Sequence, residues 1–549
     1  MTDEQRCKAK AEIKSERKNW ESYWQTLHDK FYVEADDVNR QFHPGDELYF
    51  GELYDSESLN LANMLPSGLM YRMTPFSGHW AGFMNKDKKI NNSRAASTWY
   101  KDAADEVFYI LSNSNYYDEK FSFYKETSVY GTANMYGERD FEDVVRFRNI
   151  PIKQCMIVDD SRGRTNEYYI EYEYTAAQAI DRFGIDAVSE KIREQHKSGS
   201  RSQQKFPFFL YLGPRHDRND TKEDNLNMPI QAAWFDETDK AMIEESGYEE
   251  MPAFTHRFYK RSGMAYGFSP AGMALMDTRY ANVMAKTELM SSMMQSQPAY
   301  AVPSDAFLQP LNFNPLSINE YDASDLSRDR VFPLGTDGNI NVNEMMLEKR
   351  YKSMREAMFY DAFIAFTDIT KQMTVPEVQQ RITEQLTRLG PAAGRFATGL
   401  QAELRMVLRF ALEAGRLPPI PDELIEIQPD GSEGFNYEVV FTSPLMLAQK
   451  NSELQALQNA LTLTGEMAAF DPNVLMKIDA MRAVDSIWES TGADPSVKRD
   501  DAVVEKMLKA AAQAQAGQAQ ADSASQAAVT AKDATQAQKN AEQAQAATV

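Results

Sequence analysis

Apolar side chains recur at helical spacing along two long stretches of this 549-residue chain. Between Met273 and Gln297 there is no glycine or proline, and Met273, Met276, Tyr280, Met284, Met290 and Met294 fall on a helical repeat. Over 343–369, Leu347, Tyr351, Met354, Met358 and Ala362 do the same, with Lys349, Arg350, Lys352 and Arg355 interleaved. Helices of this length reach about 40 Å each at roughly 1.5 Å per residue. Between them, 298–342 is rich in Pro, Asn and Asp, and its candidate strands AYAVP and RVFPL are too short for a core of their own. The pattern predicts a rod with a small β-like knob on its end. Such a rod buries little surface alone, so it predicts assembly. The apolar repeats fit a plain hairpin core, with methionine as flexible filler. They fit equally a ring of helices that repacks as a cargo moves, and the sequence does not separate the two.

Elsewhere the periodicity changes several times. Residues 4–32 read as an amphipathic helix with Ile13, Trp20, Tyr23, Trp24, Leu27 and Phe31 on one face. Leu59, Leu61, Met64, Leu65, Leu69 and Met70 predict a buried helix within 53–83, broken around Pro66 and Gly68. Residues 95–126 read as helix. From Val129 to Tyr174 the alternation is that of strands, with SRGR as a hairpin turn, and 175–184 returns to helix with Gly184 as its stop. The stretch 194–228 is polar and loop-rich, and FPFFLYLGPR, IQAAWFDE and AFTHRFYKRS read as short strands of a sheet ending near Ser262. Beyond Leu417, PPIPDEL is a rigid turn and FNYEVVFTSPL a strand closed by Pro444. Residues 446–508 read as helical pieces broken at 471–473 and 492–496. After Lys509 the chain turns Ala/Gln-rich with almost no large apolar side chain, so disorder is expected before a frayed helix or a helical tube of many copies. The class this predicts is α+β, mainly helical.

Composition narrows the function. A chain of this length exceeds what one core usually supports, so several subdomains sharing interfaces are expected. The net charge of −22 argues against wrapping nucleic acid, which needs Lys and Arg to replace counterions, but suits a surface past which DNA slides. Cys7 and Cys155 are the only cysteines, too few for a disulfide scaffold. No run approaches the roughly 18 apolar residues of a membrane span, and the first twenty residues lack the apolar centre of a secretory signal.

Candidate chemistry is sparse. The six histidines (28, 43, 79, 196, 216, 256) are scattered, with no pair at the spacing of helix-borne metal ligands. There is no CxxC pair, no phosphate-binding glycine loop and no nucleophile elbow. LGTDGNINVNE (334–344) fails calcium-loop spacing and reads as a polar turn. Adjacent acids such as Asp159 with Asp160 and Asp500 with Asp501 point apart on most backbones. No catalysis, cofactor or metal is expected.

Taken in order, three segments resemble the portal (head-to-tail connector) proteins of short-tailed, double-stranded-DNA bacteriophages. YDSESLNLANMLPSGLMYRMTP with Trp80 is similar to that family's N-terminal block, with Phe76 where a second proline is expected. GFSPAGMALMDTRYANVMAKTELMSSMMQSQPAYAVP resembles its first stem helix and the proline at the clip. MTVPEVQQRITEQLTRLGPAAGRFATGLQAELRMVL resembles its long wing helix, with Val375–Pro376 replacing the usual small pair. With SNYYDEKFSFYKETSVYGTANMY (114–136), the likeness spans roughly 50–446 and leaves out the Ala/Gln tail.

The resemblance implies a portal-like fold and a ring of about twelve subunits at one capsid vertex of the virion, assembled in the host cytoplasm, with a central channel for double-stranded DNA. It divides the chain into wing (1–265 and 376–445), stem helices (266–297 and 343–366), clip (298–342), channel loop (367–375), crown (446–508) and tail (509–549). It implies the terminase motor, tail adaptor proteins, and major capsid and scaffolding proteins as partners, no membrane, and no catalysis of its own. Asp368, Thr370, Lys371 and Gln372 become candidates for the channel loop, and Lys349, Arg350, Lys352 and Arg355 for the channel face of the stem. Twelve copies at −22 carry roughly −264 formal charges, a mostly repulsive wall that favours sliding over binding. A tail adaptor or internal virion protein is the nearest alternative, and a carboxylate-based hydrolase a more distant one.

Overall fold

The computed structural model describes residues 3–35, 37–39, 53–91, 93–197, 204–219, 222, 224–304, 312, 314, 316–322, 332–334, 340–363, 388–427, 433–471, 474, 477–479, 481–484, 487 and 501–546. It mixes helix and strand throughout.

Helix α1 (Asp3–Phe31) buries Lys10, Arg17, Trp24 and Phe31, a heptad series, with Leu27 and His28 beside it. Two of these are cations, and each has partners. Lys10 meets Glu171 and Glu237. Arg17 donates to the backbone oxygens of Lys153 and Cys155 at 2.9 and 3.0 Å and pairs with Glu21 at 2.8 Å. Helix α2 (Glu57–Met73) runs straight through Pro66, where the sequence predicts a break. Leu61, Leu65 and Leu69 are all buried, so packing holds both sides of the proline in one helix despite the lost backbone donor.

Strand β1 (Ala81–Met84) and the short α3 (Lys88–Asn91) lead to α4 (Arg94–Asn113) and α5 (Tyr116–Tyr130). These two replace the single helix expected at 95–126. The break falls at Asn115, whose side chain donates to the Phe147 carbonyl and accepts from its N–H at 2.7 and 2.9 Å. Helix α5 is buried almost all round and forms the centre of the main core. It ends at Gly131, whose φ of +84° and near approach to the Phe268 backbone exclude a β-carbon.

Strands β2 (Thr132–Asp140) and β3 (Val144–Ile150) form a hairpin that β9 (Ala253–Arg257) joins, in the order β3-β2-β9. A second, five-stranded antiparallel sheet runs in sequence order through β4 (Cys155–Asp159), β5 (Thr165–Thr175), β6 (Lys205–Pro214), β7 (Ile230–Asp236) and β8 (Ala241–Tyr248). The predicted SRGR turn joins β4 to β5, with Gly163 at φ +74°. Helix α6 (Ala176–Phe183) starts on a Thr175–Gln178 capping box and stops at Gly184, as expected, and α7 (Glu190–Lys197) follows. Alternation gives the sheet two dry faces. Met156, Tyr169, Phe209, Tyr211, Ala233 and Phe235 take Cys7 and Ile13 of α1, while Ile157, Ile170, Phe208 and Leu210 face the main core.

The chain then enters α8 (Pro270–Ser296), a small sheet of β10 (Ala299–Ser304), β11 (Ile318–Asp322) and β12 (Phe332–Leu334), and α9 (Ile340–Ala357). Strand β10 is central, parallel to β11 and antiparallel to β12. The second long helix ends sooner than the periodicity predicts. Phe359 sits at φ +56°, its ring 5.9 Å from that of Phe258, and a separate α10 (Tyr360–Phe363) follows. Helix α11 (Gly390–Glu413) returns to the core and buries Phe396, Leu400, Glu403, Leu404 and Val407. A β13 (Ile425–Ile427) and β14 (Glu433–Phe435) hairpin precedes β15 (Glu438–Phe441), which pairs antiparallel with β1. Helices α12 (Pro444–Ala468) and α13 (Asp501–Ala546) complete the described chain. The described part of the Ala/Gln tail lies within α13, which runs for 46 residues from Asp501. Its high alanine content supports helix without any apolar face.

Candidate functional site: the long helix hairpin

Helix α8 starts with Ser269 as N-cap, its hydroxyl accepting from Gly272 N–H at 2.8 Å, and Pro270 in the first turn. Its inward face is made of Ala271, Ala274, Leu275, Thr278 and Ala281. Helix α8 packs there on α1 and α5 as well as on α9. The two helices are antiparallel: β10 and β12, which extend them, pair antiparallel, and Asp277 meets α9 well along its length. There the Asp277 carboxylate accepts from Arg350 at 3.0 Å and from the Ser353 hydroxyl at 2.7 Å, while Arg350 also lies over the Tyr280 ring at 4.7 Å.

The lower half of α9 is fastened to α2. Arg355 pairs with Glu57 at 2.7 Å, and the Tyr351 hydroxyl donates to Asp55 at 3.1 Å. Burial, then the Asp55 carboxylate, push the Tyr351 phenol up and keep it a donor. Phe363, the last residue of α10, lies against α2 where Gly68 leaves room: a β-carbon there would stand 2.3 Å from the ring. On the upper side, Tyr54 N–H donates to Asn282 at 2.8 Å and Lys286 lies 5.1 Å over the Tyr54 ring. So α2 and the residues just before it brace both arms of the hairpin.

The sequence-predicted positions divide into three groups. Lys349 and Lys352 are exposed, with no ion pair among the described residues. Arg350 and Arg355 are half-buried and engaged with Asp277 and Glu57. Asp368, Thr370, Lys371 and Gln372 lie outside the described residues. The core reading of the α8 methionines is overturned for Met273, Met276 and Met290, which are 64%, 72% and 52% exposed. The inward face belongs to the alanines instead. Their recurrence at 271, 274 and 281 was the available signal, masked because α8 is apolar nearly all round.

Among the described residues, one group could hold a metal ion: His28, Asp29 and Asp37. Hydrogen bonds account for it. Gln25 donates its amide to Asp29 at 2.9 Å and Asp37 at 2.7 Å, and His28 spans from Asp37 at 3.3 Å to the Tyr130 hydroxyl at 3.4 Å. No described helix is long and apolar enough to cross a membrane.

Across residues 4–498 the chain matches the family described as "Bacteriophage head to tail connecting protein". The chain belongs to that family. It is 28% identical over 499 residues to the "Probable portal protein" of Bordetella phage BPP-1, covering 88% of this chain and 87% of that protein. It is 25% identical over 530 residues to the "Portal protein" of Salmonella phage epsilon15, covering 94% and 92%. The family match therefore takes in the core, the hairpin, α11 and α12, and ends before α13.

Proposed function

We propose that this chain is a portal subunit. Copies of it close a ring at one capsid vertex, and double-stranded DNA passes through the central channel during packaging and ejection. On this reading 298–342 forms the docking surface for the terminase motor and then for tail proteins, while the core built on α4, α5 and α11 forms the outer wing. Lys349 and Lys352 are proposed as stem cations available for phosphate, and a contact through them is independent of sequence. Lys371 on 367–375 is the proposed cation of the channel loop.

The observation that carries the reading is the hairpin. Two long antiparallel helices leave large apolar side chains outside a folded subunit, a surface that monomeric soluble proteins rarely expose. Repetition of one subunit around an axis covers it. Mass measurement and particle images of the purified full chain test this. About twelve subunits around a central hole are expected, and a monodisperse monomer at micromolar concentration overturns it.

A further inference from the structure

We propose that the outward face of α8 seats α9 of the neighbouring copy, registered by two inter-copy ion pairs, Arg279 with Glu348 and Lys286 with Glu344. This rests on the ring reading and deepens it by naming the two faces and the charges that align them.

The seam on α8 is Met276, Arg279, Val283, Lys286, Met290 and Met293, all exposed. Their spacing alternates three and four residues, which lays them in a straight line suited to a second helix. Met276 and Val283 are 72% and 61% exposed, so the line is apolar surface open to solvent in a single chain. Helix α9 presents the matching partner on its own outer side. Glu344 and Glu348 are exposed there, one turn apart on the same side of the helix, with exposed Met345 at its edge.

Charge selects a second copy as the occupant. The hairpin's inward ionic groups are already used, Asp277 by Arg350 and Arg355 by Glu57. Arg279, Glu344 and Glu348 form no ion pair among the described residues, and Lys286 contacts only the face of Tyr54. Arg279 and Lys286 thus stand without an acid on the α8 seam, and Glu344 and Glu348 stand one turn apart without an ion pair on α9.

Heights along the rod match as well. Within one chain Asp277 is level with Arg350 and Ser353. Arg279 is two residues further along α8, about 3 Å, and the antiparallel α9 at that height is close to Glu348. Lys286 is nine residues along, roughly 13 Å, which on α9 falls beside Glu344. A rotation axis running along the hairpin carries each copy to the next at constant height. Each base therefore faces the neighbour's acid within a turn, inside the reach of Lys and Arg side chains. Because the two faces differ, the contact is heterologous and propagates around a ring instead of ending at a dimer.

The test uses the full chain with Cys7→Ser, to which Arg279→Cys and Glu348→Cys are added together. A short flexible bis-maleimide, long enough to span an Arg–Glu pair, is then added and the products are run on a denaturing gel. A ladder of covalent multimers in the double variant, absent from either single one, is expected. A bridge confined to one chain leaves the band at monomer mass and overturns the proposal, as does an assembled ring that gives no bridge. A second arm reads assembly by mass: Arg279→Glu lowers the association constant about tenfold, and adding Glu348→Arg restores it. Unchanged assembly in Arg279→Glu also counts against the interface. A wild-type chain that never assembles brings down the ring reading itself, an outcome distinct from a ring built on other faces.

Discussion

Around α5, Lys120 is 1% exposed and meets Glu403 of α11 at 2.7 and 2.9 Å, with the Phe123 ring 4.3 Å from its ammonium. Tyr116 donates to the same carboxylate at 2.9 Å. Along α8, by contrast, methionine and valine side chains stand open to solvent. The core has thus taken charge inside and satisfied it from its own sequence. The hairpin has left apolar groups outside and satisfies only part of its ionic ones, Asp277 with Arg350 and Arg355 with Glu57. The core closes its Lys120–Glu403 charges internally, whereas the methionine seam of the hairpin is left for something else to cover.

Breaking the core should have the largest effect. Glu403→Ala leaves the buried Lys120 ammonium without its partner and should cost about 3–5 kcal/mol, read as a lowered unfolding midpoint. The double variant Lys120→Met/Glu403→Leu should recover most of that loss, because an apolar pair of similar volume needs no compensation.

The core also carries a titration that the hairpin lacks. Burial pushes the Glu126 carboxyl up to about 8, against the lowering effect of its Asn149 hydrogen bond. An acid raised above its unfolded value is protonated in the fold while the unfolded chain has already lost its proton. Stability therefore falls as pH rises from about 4.5 to about 8. Glu126→Gln should remove that slope and raise stability near pH 8 by a few kcal/mol, on the order expected for such a shift. Denaturant titrations at pH 5 and pH 8 check it; an unchanged slope would show that Glu126 stays ionised in the fold.

At the boundary of the two regions, Gly68→Ala should displace Phe363 and cost about 1–3 kcal/mol, as overpacking does. The larger helix propensity of alanine offsets part of this, so a net stabilisation would mean the ring moves away freely. The smallest effect is expected on the hairpin's own ion pair. Asp277→Asn removes a contact between partly exposed groups and should change stability by less than about 1 kcal/mol.

Much of the architecture was legible because it depends on local pattern. The helices at 4–32, 175–184 and 273–297 and the SRGR hairpin follow from periodicity, caps and turn residues. What escaped depends on distant partners. Strand β8, AMIEESGY, lacks the apolar alternation of its neighbours because it is an edge of the five-stranded sheet, and only its pairing with β7 makes it a strand. Strand β11 is set likewise by its parallel pairing with β10. Pro66 signalled a break that tertiary packing overrode. Of the candidate site residues, Lys349 and Lys352 stand exposed, but the engagement of Arg350 and Arg355 required Asp277 and Glu57, which spacing along α9 cannot reveal. The inward alanines of α8 were outweighed in the reading by larger methionines nearby.

The docking of α1 has a consequence for how the chain is made. Arg6 and Lys10 bond to Gln231 and Glu237, separations of 225 and 227 residues, and Trp20 packs on Tyr266 and Phe268. At a synthesis rate of roughly 5–20 residues per second, α1 waits about 10–50 seconds on the ribosome before its seat exists. During that interval Trp20 lacks the Tyr266 and Phe268 rings that cover it, although α2 and α5, also packed on α1, are already made. The docking of α1 is then complete only after β7 and the segment up to Phe268 have been made. Trigger-type chaperones that shield nascent apolar helices should associate with this chain up to that length and leave once it is passed.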